Sequence, residues 1–593
     1  MLNSDGSPSG HRNPLRWLRD LGNEFGAELL LTIFCSHHLL GGVVGRLTTS
    51  AMDFSYRALG VSGPEMQVYV WCAALPFSMK SLIGMMSDGF PLCGYHKTSY
   101  ILLFGLVSTC ACVLLCQLGT RTGDEPAAAQ TVSLPLLTFL LFLVFFQMAL
   151  SDLLVEGKYA QKVKVLPARG PDLMTFVWGG MSVAGLFATA AAGVLIDRFG
   201  PGSCYLLATP FAAAILWPAA CNFLQERKEP GRCRPDLQKW HGRGRVPFAL
   251  ALIMGIANIA LASFSLYASS LHSKFYAASA VGILNLVLFS LFLRPSIARI
   301  NAFFFLQNVF HISINGASFY FFTDNAAQFP NGPHFSAAFY VTGIGVVGSL
   351  FRLVGMMAYN LFLKDWKIRP MLVLSSLLYG LLQCLSALVY ARWNLSLNIP
   401  DHLFMVASSA TQSVIAQFSW MPLTVVLAQL VPDGLETTIY ALLASSLNLG
   451  GAVASYSGAL LLQLLGVNPS GTKSEGEQFE SLWLAAVISA CAPCVPLLLV
   501  RWLVPDARQT EKLLEGDSSS ATEGSVFEHL SNRLSRSSCE KLDGDLVVSQ
   551  ADGLLCNEVP ESRSQSFRSV SAEHSPVREV EMIRADYLSL AST

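Results

Sequence analysis

Fourteen runs of apolar residues, each long enough to cross a hydrocarbon core of about 30 Å as a helix, alternate with short polar segments along the chain. They lie near 25–47, 64–86, 98–118, 134–157, 173–197, 203–224, 247–270, 275–293, 302–323, 336–363, 370–391, 403–431, 436–465 and 481–504. In lipid every backbone amide must find its partner inside the segment or in a closed barrel, so runs of this length predict helices and an all-α polytopic membrane protein. Residues 1–24 are polar, carry Arg12, Arg16 and Arg19, and are followed by no cleavage site of the secretory type, which predicts a cytosolic N-terminal segment and an uncleaved first span. Residues 225–246 form a basic loop, and 505–593 turn polar and Ser-rich, the composition of a disordered cytosolic tail.

An even number of spans returns the C-terminus to the side of the N-terminus, and the charges agree. Loops assigned to that side hold Lys97, then Lys158, Lys162, Lys164 and Arg169, then Arg227 through Arg245, then Arg294 and Arg299, then Lys364, Lys367 and Arg369. The opposite loops carry only scattered cations: Arg57, Arg121, Arg198, Lys274, Arg392 and Lys473. This asymmetry places both termini in the cytosol.

Composition narrows the class. With 52% hydrophobic and 13% charged residues and a mean hydropathy of +0.47, the chain is not a soluble enzyme. A net charge of −1 argues against a nucleic-acid partner, which would need an excess of clustered Lys and Arg. Most of the 14 cysteines sit inside apolar runs as small hydrophobes, and no zinc spacing is present. Neither H-E-x-x-H nor G-x-S-x-G occurs, so no enzyme activity and no cofactor are expected.

Against this background, charge inside a span stands out. Asp152 and Glu156 lie one helical turn apart at the end of the fourth run. An ionisable group in hydrocarbon costs several kcal/mol, roughly 2.5–3.5 by insertion scales, and so usually faces a bundle interior and marks an ion or substrate path. The pair is the candidate proton-coupling site of a transporter, with Glu436 next in line. The alternative is solvated charge at the interface, for Glu156 above all, since Lys158, Lys162 and Lys164 follow it.

Two echoes point to related halves. Lys80 precedes Gly84-Met85-Met86 in the second run as Arg352 precedes Gly355-Met356-Met357 in the tenth. Pro167, Gly185 and Gly193 recur as Pro432, Gly450 and Gly458 at a constant offset of 265. The halves are then 25–224 and 302–504, with 247–301 an inserted helix pair. Lys80 and Arg352 become candidate substrate cations. Gly84, Gly355, Asp88 and Asn448 become candidate gate and packing residues, the glycines because they allow backbones to approach.

The segments ALPFSMKSLIGMMSDG (74–89), FYFFTDNAAQFPNGPHFSAAFY (319–340), GMMAYNLFLKDWKIRP (355–370) and VPDGLETTIYALLASSLNLGGAVASYSGALL (431–461) resemble the folate–biopterin transporter family of the major facilitator superfamily. The loop at 330–335 and the extra helix pair are similar to its trypanosomatid branch. The resemblance implies a major-facilitator-type fold and import of folate or biopterin across the plasma membrane by proton symport. It also admits an S-adenosylmethionine carrier. Trp71, Phe319 and Tyr320 are the aromatic candidates for stacking on a pterin. The spacing from Asp88 to Gly94 is longer than the superfamily's usual loop, which puts that loop's charge relay in question. A reading of another class is a nutrient receptor or scaffold that kept the fold and signals through its tail.

Overall fold

The computed structural model describes residues 14–119, 133–166, 169–228, 245–430, 436–509, 511 and 521–530. Regular structure in them is helical, with no strand among the described residues. The crossing helices are α1 (Ala27–Ala58), α2 (Gly63–Gly89), α3 (Thr98–Gln117), α4 (Leu134–Val163), α5 (Gly170–Phe199), α6 (Gly202–Ala220), α7 (Arg245–Tyr267), α8 (Leu271–Phe292), α9 (Pro295–Thr323), α10 (Ala338–Leu363), α11 (Ile368–Tyr390), α12 (Asp401–Gln429), α13 (Glu436–Leu464) and α14 (Gly476–Leu503). Thirteen of these are apolar enough to cross a membrane by composition alone. The remaining one, α12, has the length at 29 residues but carries Ser408, Ser409, Thr411, Gln412, Ser413 and Gln417. Its polar face turns inward, as shown below.

Helices α1–α6 and α9–α14 form two six-helix sets that meet where α2 packs on α13 and α5 on α10. The pair α7–α8 lies along the α2–α13 seam and is hydrogen-bonded to both sides of it. Asn258 donates to the Ser78 carbonyl at 3.1 Å and Lys274 to the Tyr69 hydroxyl at 3.1 Å; Ser265 bonds the Tyr456 hydroxyl at 2.7 Å and Asn285 the Ser446 hydroxyl at 2.9 Å. Lys274, expected in an outer loop, is instead fully buried in α8, its charge against the Tyr69 ring.

Of the glycines in the 265-residue echo, Gly193 sits where the sets touch, whereas Gly185, Gly450 and Gly458 make their tightest contacts inside their own set. A Cβ on Gly193 of α5 would come within 2.6 Å of the Ala337 carbonyl of α10, and one on Gly458 of α13 within 1.7 Å of the Ser313 carbonyl of α9. No side chain fits at either crossing. Pro167 and the segment 431–435, including Pro432, lie outside the described residues.

Two expectations change. The first span does not end at 47: α1 continues to Ala58, because Arg46 and Asp53 face a cavity rather than lipid and so do not terminate the helix. The tail does not begin at 505. Ile368 N–H donates to the Ala507 carbonyl, and Gln509, 2% exposed, donates to the carbonyls of Leu363 and Trp366. Further on, Ala521 is buried and Phe527 packs on Phe292 at 4.8 Å. Residues 531–593 lie outside the described residues.

Candidate functional site

Arg46, Thr49, Ser50 and Asp53 follow one another at three, four and seven residues, so they share one face of α1. That face lines a cavity of about 280 Å³ between the two helix sets, closed on the other side by Tyr340, Gly348, Ser349 and Arg352 of α10 and Ser409 and Ser413 of α12. A second cavity of about 260 Å³ shares Arg46, Thr49, Ser349 and Arg352 and runs on to Phe77, Phe145 and Met148. Gly185 of α5 makes room for the arginine: a Cβ there would meet the Arg46 stem at 3.2 Å. Arg46 and Arg352 repel one another across the space. Among the described residues neither guanidinium, nor Asp53, has an ion-pair partner. A third cavity, about 360 Å³ and lined by Ser318, Gln383, Ser408 and Gln412, adjoins the first through Tyr340, Ile344, Gly345 and Ser409.

A different arrangement holds the charges of α2 and α4. Asp152 pairs through one oxygen with Lys80 and through the other with His37 Nε2 at 3.2 Å. His37 is 1% exposed, bonds Ser36 Oγ through Nδ1 at 2.7 Å and meets the Tyr159 ring edge-on at 5.7 Å. Lys80 Nζ sits 5.8 Å from the Phe77 ring centre. Asp152 is therefore a compensated charge, and Glu156 follows it one turn on.

The end of the bundle at which α1 and α9 finish is sealed. Arg57, in the last turn of α1, donates to Asp324 at 2.7 Å, to Gln328 at 2.8 Å and to the Thr323 hydroxyl at 2.8 Å, all just past α9 or at its end. Gly63 and Gly316 touch backbone to backbone, so that a Cβ on Gly316 would fall 1.9 Å from the Gly63 carbonyl. The Asp324 carboxyl is pushed up to about 8 by burial, with the Glu475 carboxyl beside it adding to the rise and Arg57 opposing it. Glu475 itself collects the N–H groups of Ser470, Gly471 and Thr472.

The residues singled out from sequence thus separate. Lys80 lines neither of the two cavities that Arg352 faces: it is spent on Asp152, while Arg352 is open to the central space. Phe319 and Tyr320 are fully buried in the sealed end, under the Arg57 guanidinium at 5.8 and 5.3 Å, and line none of the three cavities. Phe54, which meets the Phe319 ring edge-to-face at 4.9 Å, does reach the central cavity. Trp71 fills the space over Gly451 at the α2–α13 crossing, where Asn448 also donates to the Phe77 carbonyl. Gly355 packs against the Val414 backbone, within the second set rather than at a gate between sets. Gly84 has no tight neighbour, since a Cβ there would meet only a Leu153 methyl at 3.4 Å. Asp88 lines a cavity of about 460 Å³ with His96, Lys97 and Lys158 at the end where α2 gives way to α3. The Glu436 side chain lies outside the described residues. Arg46, Asp53 and His37 escaped the sequence reading. The signal was present as an Arg and an Asp seven apart, separated by Thr and Ser, and as a His pair inside the first apolar run.

Comparison with known proteins adds the following. The family model described as the BT1 family matches residues 42–523. A protein called probable folate-biopterin transporter 6, from Arabidopsis thaliana, is 26% identical over 510 residues, covering 85% of this chain and 88% of its own. The folate-biopterin transporter of Synechocystis sp. is 25% identical over 534 residues, covering 87% and 91%. Among solved structures, a POT family transporter in complex with 5-aminolevulinic acid superposes with a TM-score of 0.55 at 13% identity, over 82% of this chain and 97% of that one. A peptide transporter POT in complex with sulfate gives 0.53 at 16%, over 83% and 97%. The fold is therefore of the major-facilitator type.

Proposed function

The chain belongs to the BT1 family, and on that premise we propose that it is a secondary transporter importing pterin- or folate-type substrates by proton symport with alternating access. The observation that carries this reading is the cavity between the two helix sets, in which two arginines and an aspartate stand without partners. Charge held at membrane depth without compensation needs a ligand, since its desolvation is otherwise unmatched. The arginines favour an anion over the cationic S-adenosylmethionine. A scaffold that binds no ligand would have no use for them. The sealed end faces outward in this reading, the basic loops and both termini lie in the cytosol, and the membrane is the plasma membrane.

Coupling falls to Asp152 and Glu156, now with His37 and Lys80 around the first. Two carboxyls one turn apart exchange a proton more readily than one alone, because ionising the second is opposed by the first. Purified protein in proteoliposomes should accumulate labelled folate or biopterin against its gradient when the outside is made acidic. Asp152→Asn should abolish that accumulation while leaving exchange of internal for external substrate. Glu156→Gln should do the same if the proton is shared. Accumulation by the wild type that ignores an imposed pH gradient would exclude symport, and absence of any pterin or folate uptake would exclude the function.

A further inference from the structure

We propose that the central cavity reads a two-ended substrate, with Arg46 and Arg352 holding carboxylates at one end and Asp53 taking the amide-and-amine edge of a pterin ring at the other. This rests on the transport reading above and deepens it: Arg46, Arg352 and Asp53 divide the two ends of the substrate between them, and unconjugated pterins use only half the site.

Two guanidiniums from opposite helix sets line the same two cavities, repel one another and have no carboxylate partner among the described residues. A single monoanion satisfies one of them. A glutamate tail with two carboxylates satisfies both, and each guanidinium can grip a carboxylate through two parallel N–H donors. Asp53 lies two helical turns from Arg46, about 10 Å along the α1 axis. At that end the cavity presents Phe54 and Tyr340, flat surfaces for a heterocycle, and an acceptor-only carboxylate suited to adjacent N–H donors such as the 2-amino and N3 positions of a pterin. The hydroxyls of Thr49, Ser50, Ser409 and Ser413 line the space between. An aminobenzoyl group spans such an interval. Because the arginines come from α1 and α10, a dicarboxylate also draws the two sets together, which a ring alone does not.

The test is competition against labelled folate exchange in proteoliposomes, using three probes: folate, biopterin and p-aminobenzoylglutamate, which has the tail without the ring. Arg46→Gln and Arg352→Gln should each weaken p-aminobenzoylglutamate and folate roughly ten- to hundredfold, the worth of a charge-assisted hydrogen bond, and leave biopterin within about twofold. Asp53→Asn should do the reverse, weakening biopterin and folate while sparing p-aminobenzoylglutamate. Arg352→Lys, which keeps the charge but loses the fork, should fall between. Equal losses for all three probes in every variant that still exchanges substrate would overturn the inference and leave transport itself intact. If a variant yields no folded protein, the wild type still decides: p-aminobenzoylglutamate that fails to compete at all rules out the arginine clamp. A wild type that transports none of the three defeats the functional reading instead.

Discussion

Two groups of charges lie at membrane depth a short way apart, and they are built on opposite principles. Around Asp152, each of Lys80, His37 and the carboxylate itself has its partner: Lys80 on one oxygen, His37 on the other, Ser36 and Tyr159 behind the imidazole. Around Arg46 and Arg352, none does. Both arrangements cost desolvation, but only the first recovers it inside the protein. Charges that are paired hold the first helix set together and can pass a proton along the pair. Charges that are not paired leave their interaction energy for something that enters from outside. The contrast makes the two groups respond differently to the same kind of substitution.

The largest effect is expected in the paired group. Asp152→Leu leaves Lys80 and His37 facing apolar surface and should lower stability by about 3 kcal/mol, the low end for a broken buried pair, because Asp152 keeps 27% of its surface exposed. The double variant Lys80→Met with Asp152→Leu should recover most of the loss, read as the denaturation midpoint of protein purified in detergent. Failure of the second change to rescue the first would mean the two are not a unit.

In the unpaired group the sign reverses. Arg46→Gln removes a repulsion and no attractive contact, so the ligand-free protein should melt at the same temperature or higher, while folate affinity drops roughly ten- to hundredfold. A clear fall in melting temperature without ligand would show that Arg46 has a structural partner after all.

The same rule extends to the strap beyond α14. Gln509 accepts from the buried Tyr359 hydroxyl at 2.5 Å and donates to two carbonyls at the end of α10. Gln509→Ala should therefore cost about 1–2 kcal/mol, truncation after Arg508 should cost more because it also removes the buried Ala521 and the Phe527–Phe292 contact, and truncation after Leu530 should leave stability and uptake unchanged. Thermal unfolding of the three proteins separates them.

The smallest effect belongs to a group between the two types, Asp324, which is paired with Arg57 yet crowded by Glu475. Its carboxyl is pushed up to about 8 in the sealed state, against about 3.9 when solvated. Between these values the sealed state holds the extra proton, so sealing weakens progressively as pH rises from about 4 towards about 8 and levels off above that. A cysteine at Thr49, in a chain lacking other exposed cysteines, should react with an impermeant reagent from outside a few-fold faster at pH 9 than at pH 6 once each rate is divided by that of a free thiol at the same pH, since the thiolate is the reacting form. Asp324→Asn should flatten that dependence.

The contrast was only partly legible in the chain. Asp152 and Lys80 drew attention because each interrupts an apolar run, yet Lys80 was matched with Arg352, its counterpart by sequence echo, and not with Asp152, its neighbour in space. Arg46 and Asp53 were lost for a related reason. A hydropathy window ends where charges begin, and it cannot know that those charges face a cavity. Phe319 and Tyr320 belong to a family-like motif, but their place under Arg57 shows that a motif can mark the seal of a transporter as readily as its binding wall.

By itself the sequence determined the number and rough limits of the helices, the bias of basic loops to one side, the two related sets with a pair inserted between them, and the class of protein. Each of these depends on residues close together in the chain: about twenty apolar positions in a row, or a charge beside a span. The tertiary structure decided which charges meet, that α1 carries a polar face to the middle of the bundle, and where the chain past α14 docks. Those depend on pairings between helices far apart in sequence, such as Lys80 with Asp152 across 72 residues, and on small side chains at Gly185, Gly193 and Gly458 that let particular helices come together. A local pattern fixes that a side chain lies on one face of a helix, but only packing fixes what that face meets.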